Sequence, residues 1–156
     1  MIVAFTGHRP GKLGGYGPSP TQDHVRSRIR EELLRIRPDS AISGMALGVD
    51  QWAAEVCYEQ KIPYTAAVPF DGQERVWPLE AQVWYRELLA RAAVVHVVSP
   101  GTYAPWKLQR RNEWMVDNCD VLLAVWDGSP SGTANCVEYA REKLREIVRV
   151  DPRRLR

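Results

Sequence analysis

The feature that most constrains the fold of this sequence is a repeated alternation of short apolar runs and longer amphipathic segments. The apolar runs are Ile2–Phe5, Ser40–Ser43, Tyr64–Val68, Val94–Val98 and Val121–Trp126. Such runs are typical of parallel strands buried on both faces, and the segments between them match helical spacing. The pattern predicts an α/β, Rossmann-like fold, doubly wound around a mainly parallel sheet of five to six strands with helices on both faces.

The segments between the strands predict five helices. The first begins near Thr21 or Asp23 and ends before Pro38, and the others cover 49–60, 80–91, 106–118 and 133–145. Val94–Val98 is expected to be largely buried, Leu144 is expected to face the core with the last helix, and Ile147–Val150 is a candidate edge strand. No internal repeat or linker interrupts the pattern, so residues 1–156 are expected to form one domain.

Composition excludes several classes of protein. The 156 residues include 21 Lys and Arg against 19 Asp and Glu, and this net charge of +2 disfavours a nucleic-acid or membrane-surface partner. No apolar run approaches the roughly 20 residues of a membrane span, and residues 1–5 lack a basic leader, so a cytoplasmic location is expected. The three cysteines include no CxxC pair, so neither disulfides nor a metal site is expected.

In a doubly wound sheet, ligands bind beyond the carboxyl ends of the strands, so the loops at those ends carry the functional signal. Residues 6–9 read Thr-Gly-His-Arg, in which Gly7 permits close backbone approach and Arg9 offers a fixed cation for a phosphate. Residues 43–50 hold two glycines before a helix N-terminus, a position that suits an anion. Asp50 either has a structural role, as dipole compensation or a helix cap, or accepts a hydrogen bond from a ribose hydroxyl or a base edge.

A third loop, residues 127–135, also ends a strand and opens a helix, at Gly132 and Thr133. Each turn alone is equally consistent with an ordinary strand-to-helix connection. Two such turns and Arg9 at one sheet edge favour a phosphorylated ligand. The candidate ligand-binding residues are Gly7, His8, Arg9, Gly44, Met45, Gly48, Asp50, Gly128, Ser131, Gly132, Thr133 and Asn135. No metal and no resident cofactor is predicted.

The order of these motifs resembles the SLOG superfamily. The segments that carry the resemblance are 6–9, 43–50, 111–117, 122–127 and 132–133. They are most similar to the YpsA-like group, common in bacteria and phages, which is related to the LOG (lysine-decarboxylase-like) and DprA proteins. The resemblance implies a Rossmann-like fold and a nucleotide-derived ligand, either NAD- or ADP-ribose-like or a nucleoside phosphate. LOG-like relatives commonly dimerise, so a homodimer is expected.

The LOG phosphoribohydrolases have a signature that resembles RKxxM followed by PGGxGTxxE. In this sequence Arg111 and Met115 stand at the Arg and Met positions, and Gly132–Thr133 stand at the GT. Asn112 replaces the Lys, and Cys136 falls where that family has its Glu. The carboxylate that would assist cleavage of a glycosidic bond is therefore missing from its expected place.

Binding or sensing of a nucleotide-like small molecule is consequently the leading hypothesis. The alternative is a nucleoside 5′-monophosphate phosphoribohydrolase, an N-glycosidase, with Arg111, Glu113 and Glu138 as its candidate catalytic residues. A third hypothesis is a single-strand DNA binder, by analogy with DprA. The arginine-rich segment 149–156 supports that hypothesis, and the low net charge disfavours it.

Overall fold

Six strands and five α-helices alternate along the chain in the computed structural model, which describes residues 1–154. The strands are β1 (Ile2–Gly7), β2 (Ser40–Ser43), β3 (Tyr64–Val68), β4 (Val94–Val97), β5 (Val121–Val125) and β6 (Glu146–Val150). The helices are α1 (Pro20–Ile36), α2 (Val49–Glu59), α3 (Leu79–Arg91), α4 (Pro105–Asp117) and α5 (Gly132–Glu142). Arg156, part of the arginine-rich segment, lies outside the described residues. Within residues 1–154, no helix is long and apolar enough to cross a membrane.

The strands form one sheet in the order β4-β3-β2-β1-β5-β6, and every pairing is parallel. The chain builds outward from β1 to β4 and then returns to the opposite side of β1. The predicted Rossmann-like α/β fold is therefore confirmed. The strand order reverses between β1 and β5, so the loops that leave these two strands diverge and open a crevice at the sheet's carboxyl edge.

Two apolar cores lie on opposite faces of the sheet. Val3 and Phe5 point to the face covered by α1, α2 and α3, whereas Ala4 and Leu122 point to the face covered by α4 and α5. Because successive strand residues alternate between these cores, all five positions of β5 and the four inner positions of β1 are buried. Double coverage explains why the strands appear in the sequence as apolar runs without polar alternation.

Two expectations about burial are wrong. Val94 and Val95 are 54% and 48% exposed, because β4 is an edge strand with a neighbour on one side only. Leu144 is also exposed, because α5 ends at Glu142 and Leu144 adopts a left-handed backbone with φ 57°. Its N–H donates to the Arg141 carbonyl and the Arg145 N–H donates to the Ala140 carbonyl, the two hydrogen bonds of a Schellman helix end.

Candidate functional site

A cavity of about 430 Å³ opens at the carboxyl edge of the sheet, between the loops that follow β1 and β5. We call it the switch-point cavity. Five segments build it: the end of β1 with the loop that follows, the loop after β2, the first turn of α2, one face of α4, and the start of α5. Its lining residues are Thr6, Gly7, His8, Arg9, Gly11, Lys12, Ala46, Asp50, Leu108, Arg111, Asn112, Ser131, Gly132 and Thr133.

Two glycines bring the loop after β1 against the start of α2. A Cβ on Gly7 would lie 2.5 Å from Cγ2 of Val49, so the first turn of α2 packs directly on the end of β1. Gly48 has φ 97°, and a Cβ there would lie 2.9 Å from the carbonyl oxygen of His8. Both positions require glycine, and the close packing fixes the backbone that presents His8 and Arg9 to the cavity.

A buried guanidinium forms part of the cavity wall. Nη1 of Arg111 donates to the carbonyl oxygen of Gly44 at 2.6 Å, and Nε donates to Oδ1 of Asn112 at 3.0 Å. Burial lowers the pKa of Arg111, and the nearby charge of Asp50 opposes that shift. A Cβ on Gly44 would lie 2.6 Å from Nη1, so glycine is needed for Arg111 to reach this position.

Asp50 contributes a buried carboxyl group to the same wall. Its Oδ2 accepts a hydrogen bond from the N–H of Ala46 at 3.2 Å. Burial raises the pKa of Asp50, while Arg111 and the Ala46 N–H act in the opposite direction. A carboxyl group held in this way can accept a hydrogen bond from a sugar hydroxyl, and its burial makes an unpaired negative charge costly.

His8 joins the loop after β1 to the loop after β5. Its Nε2 lies 3.0 Å from Oδ1 of Asp127 and 3.2 Å from the backbone nitrogen of the same residue. One tautomer donates to the carboxylate and the other accepts from the N–H, so either form keeps the loops together. The hydroxyl and N–H of Ser129 hold the pKa of Asp127 far below its usual range, and His8 adds to this effect.

The first turn of α5 faces the cavity with unpaired backbone donors. Oγ of Ser131 accepts from the N–H of Ala134 at 3.2 Å, which caps the helix. The N–H groups of Gly132 and Thr133 lie in the first turn, so they have no carbonyl acceptor within the helix. Apart from its chain neighbours and the backbone of α5, no atom lies within 4 Å of the position that a Cβ on Gly132 would occupy, so this turn is open to a ligand.

Seven of the twelve candidate ligand-binding residues line the cavity: Gly7, His8, Arg9, Asp50, Ser131, Gly132 and Thr133. The other five do not. Gly44 and Gly48 lie behind the lining and position it, as described above. The Met45 side chain is buried in the core on the α1–α3 face, Asn135 is exposed on α5, and Gly128 lies beside Arg149.

Among the candidate catalytic residues, only Arg111 lines the cavity. Glu113 lies near Gln109 and Arg110 on α4, and Glu138 is exposed on α5. Cys136 is buried, and burial raises the pKa of its thiol to about 12. Asp50 is therefore the single carboxyl group in the lining among residues 1–154, where no group of His, Cys, Asp and Glu could hold a metal ion.

Six lining residues were not among the sequence candidates: Thr6, Gly11, Lys12, Ala46, Leu108 and Asn112. The spacing of three of the lining residues carried a usable signal. Leu108, Arg111 and Asn112 stand at i, i+3 and i+4 on α4, which places them on one helix face. Lys12 lies in the glycine- and proline-rich loop after β1, three residues after Arg9, and this position is the one signal that could have identified it.

Comparison with known proteins identifies the family. A family model described as the YspA SLOG family matches residues 3–151. The chain belongs to this family. The SLOG resemblance expected from the motifs is thereby confirmed. YoqJ, an SPbeta prophage-derived protein of Bacillus subtilis (strain 168), is 33% identical over 138 residues, which cover 78% of this chain and 80% of YoqJ. A UPF0398 protein of Bacillus thuringiensis (strain Al Hakam) is 29% identical over 157 residues, which cover 94% of this chain and 85% of that protein.

Solved structures share the fold of this YspA SLOG family member. DNA processing protein A from Streptococcus pneumoniae superposes with a TM-score of 0.72 at 18% identity, over 96% of this chain and 50% of that chain. DNA processing protein A from Helicobacter pylori is described for its single-stranded DNA binding mode. It superposes with a TM-score of 0.69 at 19% identity, over 97% of this chain and 65% of that chain. This chain thus spans only half to two thirds of those proteins. A molybdenum cofactor carrier protein from Chlamydomonas reinhardtii superposes with a TM-score of 0.59 at 15% identity, over 95% of this chain and 74% of that chain.

Proposed function

We propose that this protein binds a nucleotide-derived ligand, of the NAD, ADP-ribose or nucleoside phosphate class, in the switch-point cavity. The observation that carries the proposal is the presence of Arg9 and Lys12 in the same cavity as the open first turn of α5. Backbone N–H groups at a helix N-terminus and cationic side chains are the two donors that proteins use most for phosphate. The ligand's phosphate binds Gly132 and Thr133 and is neutralised by the two cations.

The buried wall of the cavity suits the ribose. Asp50 can accept a hydrogen bond from a ribose hydroxyl, and Asn112, whose Oδ1 accepts from Arg111, offers its NH₂ group to the same cavity. Since Arg111 is already held by Gly44 and Asn112, its role is to balance the charge of Asp50 and to fix the wall. This division assigns the two exposed cations to the phosphate and the constrained polar groups to the sugar. Of the two cations, Lys12 also donates to Oγ of Ser129 at 3.1 Å.

A thermal-shift screen followed by titration calorimetry tests the proposal. The panel contains ADP-ribose, NAD, AMP, CMP, GMP, UMP and ribose 5-phosphate. A ligand present at 100 times its Kd is expected to stabilise the folded protein by about 2.7 kcal/mol. The proposal is wrong if no member of the panel shifts the melting temperature at millimolar concentration.

The phosphoribohydrolase hypothesis makes a different prediction about chemistry. Groups that hold phosphate and sugar equally in the ground and transition states give affinity without rate. Neither Glu113 nor Glu138 lines the cavity, and the Cys136 thiol cannot replace a carboxylate. We therefore expect slow or no base release from AMP, CMP, GMP and UMP, measured by chromatography. Base release at about 1–10 turnovers per second would show instead that the protein is an enzyme. Loss of that turnover in Asp50→Asn would then assign the carboxylate.

A further inference from the structure

A second cavity of about 430 Å³ lies at the same edge of the sheet, beyond the ends of β3 and β4. Its apolar lining comes from Phe70, Val76 and Tyr103. The polar residues that line it are Asp71, Gln73, Arg75 and Thr102. The rings of Phe70 and Tyr103 meet edge to face, with centroids 5.4 Å apart and an interplanar angle of 75°. We call this the aromatic cavity. Flat apolar walls with a few polar groups are typical of sites that bind a planar ring.

The two loops that form the aromatic cavity are firmly tied together. Oδ2 of Asp71 accepts from the N–H of Gly101 at 2.7 Å, and the N–H of Asp71 donates to the Gly101 carbonyl at 3.0 Å. Nζ of Lys107 donates to the carbonyls of Pro100 and Thr102, at 3.1 and 2.6 Å. Tyr103 follows directly and stays 60% exposed, so a large side chain is held in solvent on a constrained loop. Such preorganisation reduces the entropy cost of binding.

No residue lines both cavities, but one carbonyl group links a lining residue of the aromatic cavity to a lining residue of the switch-point cavity. The carbonyl oxygen of Gly44 accepts from Nη1 of Arg111, which lines the switch-point cavity, at 2.6 Å. The same oxygen accepts from Nε2 of Gln73, which lines the aromatic cavity, at 3.5 Å. One cavity lies between β5 and β1 and the other between β3 and β4, so they are three inter-strand spacings, about 14 Å, apart along the sheet edge.

We propose that the aromatic cavity is the base-binding subsite of the ligand whose phosphate occupies the switch-point cavity. The ligand is then of the pyrophosphate-linked class, such as a dinucleotide or ADP-ribose, rather than a mononucleotide. This inference rests on the proposed function. In a nucleoside monophosphate one ribose separates the base from the phosphate. In a pyrophosphate-linked ligand the distal phosphate lies one phosphate group farther from the base, and the second ribose continues beyond it, where Asp50 lines the switch-point cavity. Ligands of doubly wound sheets lie along this edge.

Titration calorimetry on the full chain tests the subsite with ADP-ribose, AMP and ribose 5-phosphate. The variants are Tyr103→Ala and Val76→Ser, which alter side chains that are 60% and 90% exposed and leave the core intact. Tyr16→Ala is the matched control, because Tyr16 is a 73% exposed loop tyrosine that lines a different cavity. Both test variants are expected to weaken ADP-ribose binding, Tyr103→Ala by about 5- to 150-fold, the range for loss of one stacked base.

Binding of ribose 5-phosphate and AMP is expected to stay unchanged in both test variants, because these ligands do not reach the aromatic cavity from the phosphate site. The subsite proposal is wrong if Arg9→Ala weakens ADP-ribose binding but neither test variant weakens it more than Tyr16→Ala does. In that case the proposed function survives. If the wild type binds none of the three ligands, the proposed function fails and the subsite fails with it.

Discussion

The carbonyl oxygen of Gly44 accepts hydrogen bonds from Arg111 and Gln73, and a Cβ at this position would overlap the guanidinium. Because Arg111 is buried, it has no solvent into which to withdraw. We expect Gly44→Ala to reduce the free energy of unfolding in urea by about 1–3 kcal/mol, the usual cost of overpacking, and to abolish ligand binding.

Gly11→Ala is the control for that substitution. Gly11 lines the same cavity, but nothing lies within 4 Å of the position of its Cβ. Its unfolding free energy is expected to stay within about 0.5 kcal/mol of the wild type. Equal destabilisation of the two variants would contradict the packing role assigned to Gly44.

Arg9 is exposed at the mouth of the switch-point cavity. Loss of one charge-assisted hydrogen bond to a phosphate is expected to weaken binding of a phosphorylated ligand by about 1.5–3 kcal/mol in Arg9→Ala. The melting temperature should not change, because no apolar packing depends on this side chain. Arg110→Ala is the control, since Arg110 is adjacent to Arg111 in sequence but lies outside the lining. Unchanged calorimetric affinity in Arg9→Ala would remove Arg9 from the site.

At the scale of secondary structure elements, two helices of this chain begin with the same serine cap. Ser131 accepts from the N–H of Ala134 at the start of α5, and Ser19 accepts from the N–H of Gln22 at the start of α1. We expect Ser131→Ala and Ser19→Ala each to lower stability by about 0.5–2 kcal/mol. Only Ser131→Ala should also weaken phosphate binding, because of these two helices only α5 faces the switch-point cavity. Equal calorimetric affinities in the two variants would argue against a phosphate at α5.

The elements differ in how far their sequences determine them. The central strand β5 was evident because five consecutive apolar residues can be buried only between two helical layers. Val94 is exposed because β4 lies at an edge of the sheet. The order of strands is a property of the whole sheet, so a local sequence pattern does not predict this exposure. For Leu108 and Asn112, helical spacing groups them with Arg111 on one face of α4, but which face meets the cavity depends on where α4 crosses the sheet.

At the scale of the whole molecule, charge decides between a small ligand and single-stranded DNA. The net charge is +2, and Arg149, Arg153 and Arg154 all pair with Asp151. These arginines are therefore partly neutralised. We expect fluorescence anisotropy to detect only weak binding of a labelled oligothymidine at about 150 mM salt, near the nonspecific range of roughly 10⁻⁴–10⁻⁶ M. Nanomolar affinity that falls steeply between 50 and 200 mM salt would instead indicate DNA binding, as described for the Helicobacter pylori neighbour.

The pairing of β1 with β5 also has a consequence for the order of folding. The N–H of Ile2 donates to Oδ2 of Asp120, which lies 118 residues away in the chain, and the two sides of the switch-point cavity are just as distant in sequence. Closing so long a loop is slow, because the chain loses conformational entropy before the stabilising long-range contacts have formed. During synthesis, the first four strands can associate while the cavity still lacks α5. Ligand binding should therefore appear late in refolding, when β5 docks against β1. During synthesis, it would indicate that β5 and α5 have been made and have joined the sheet.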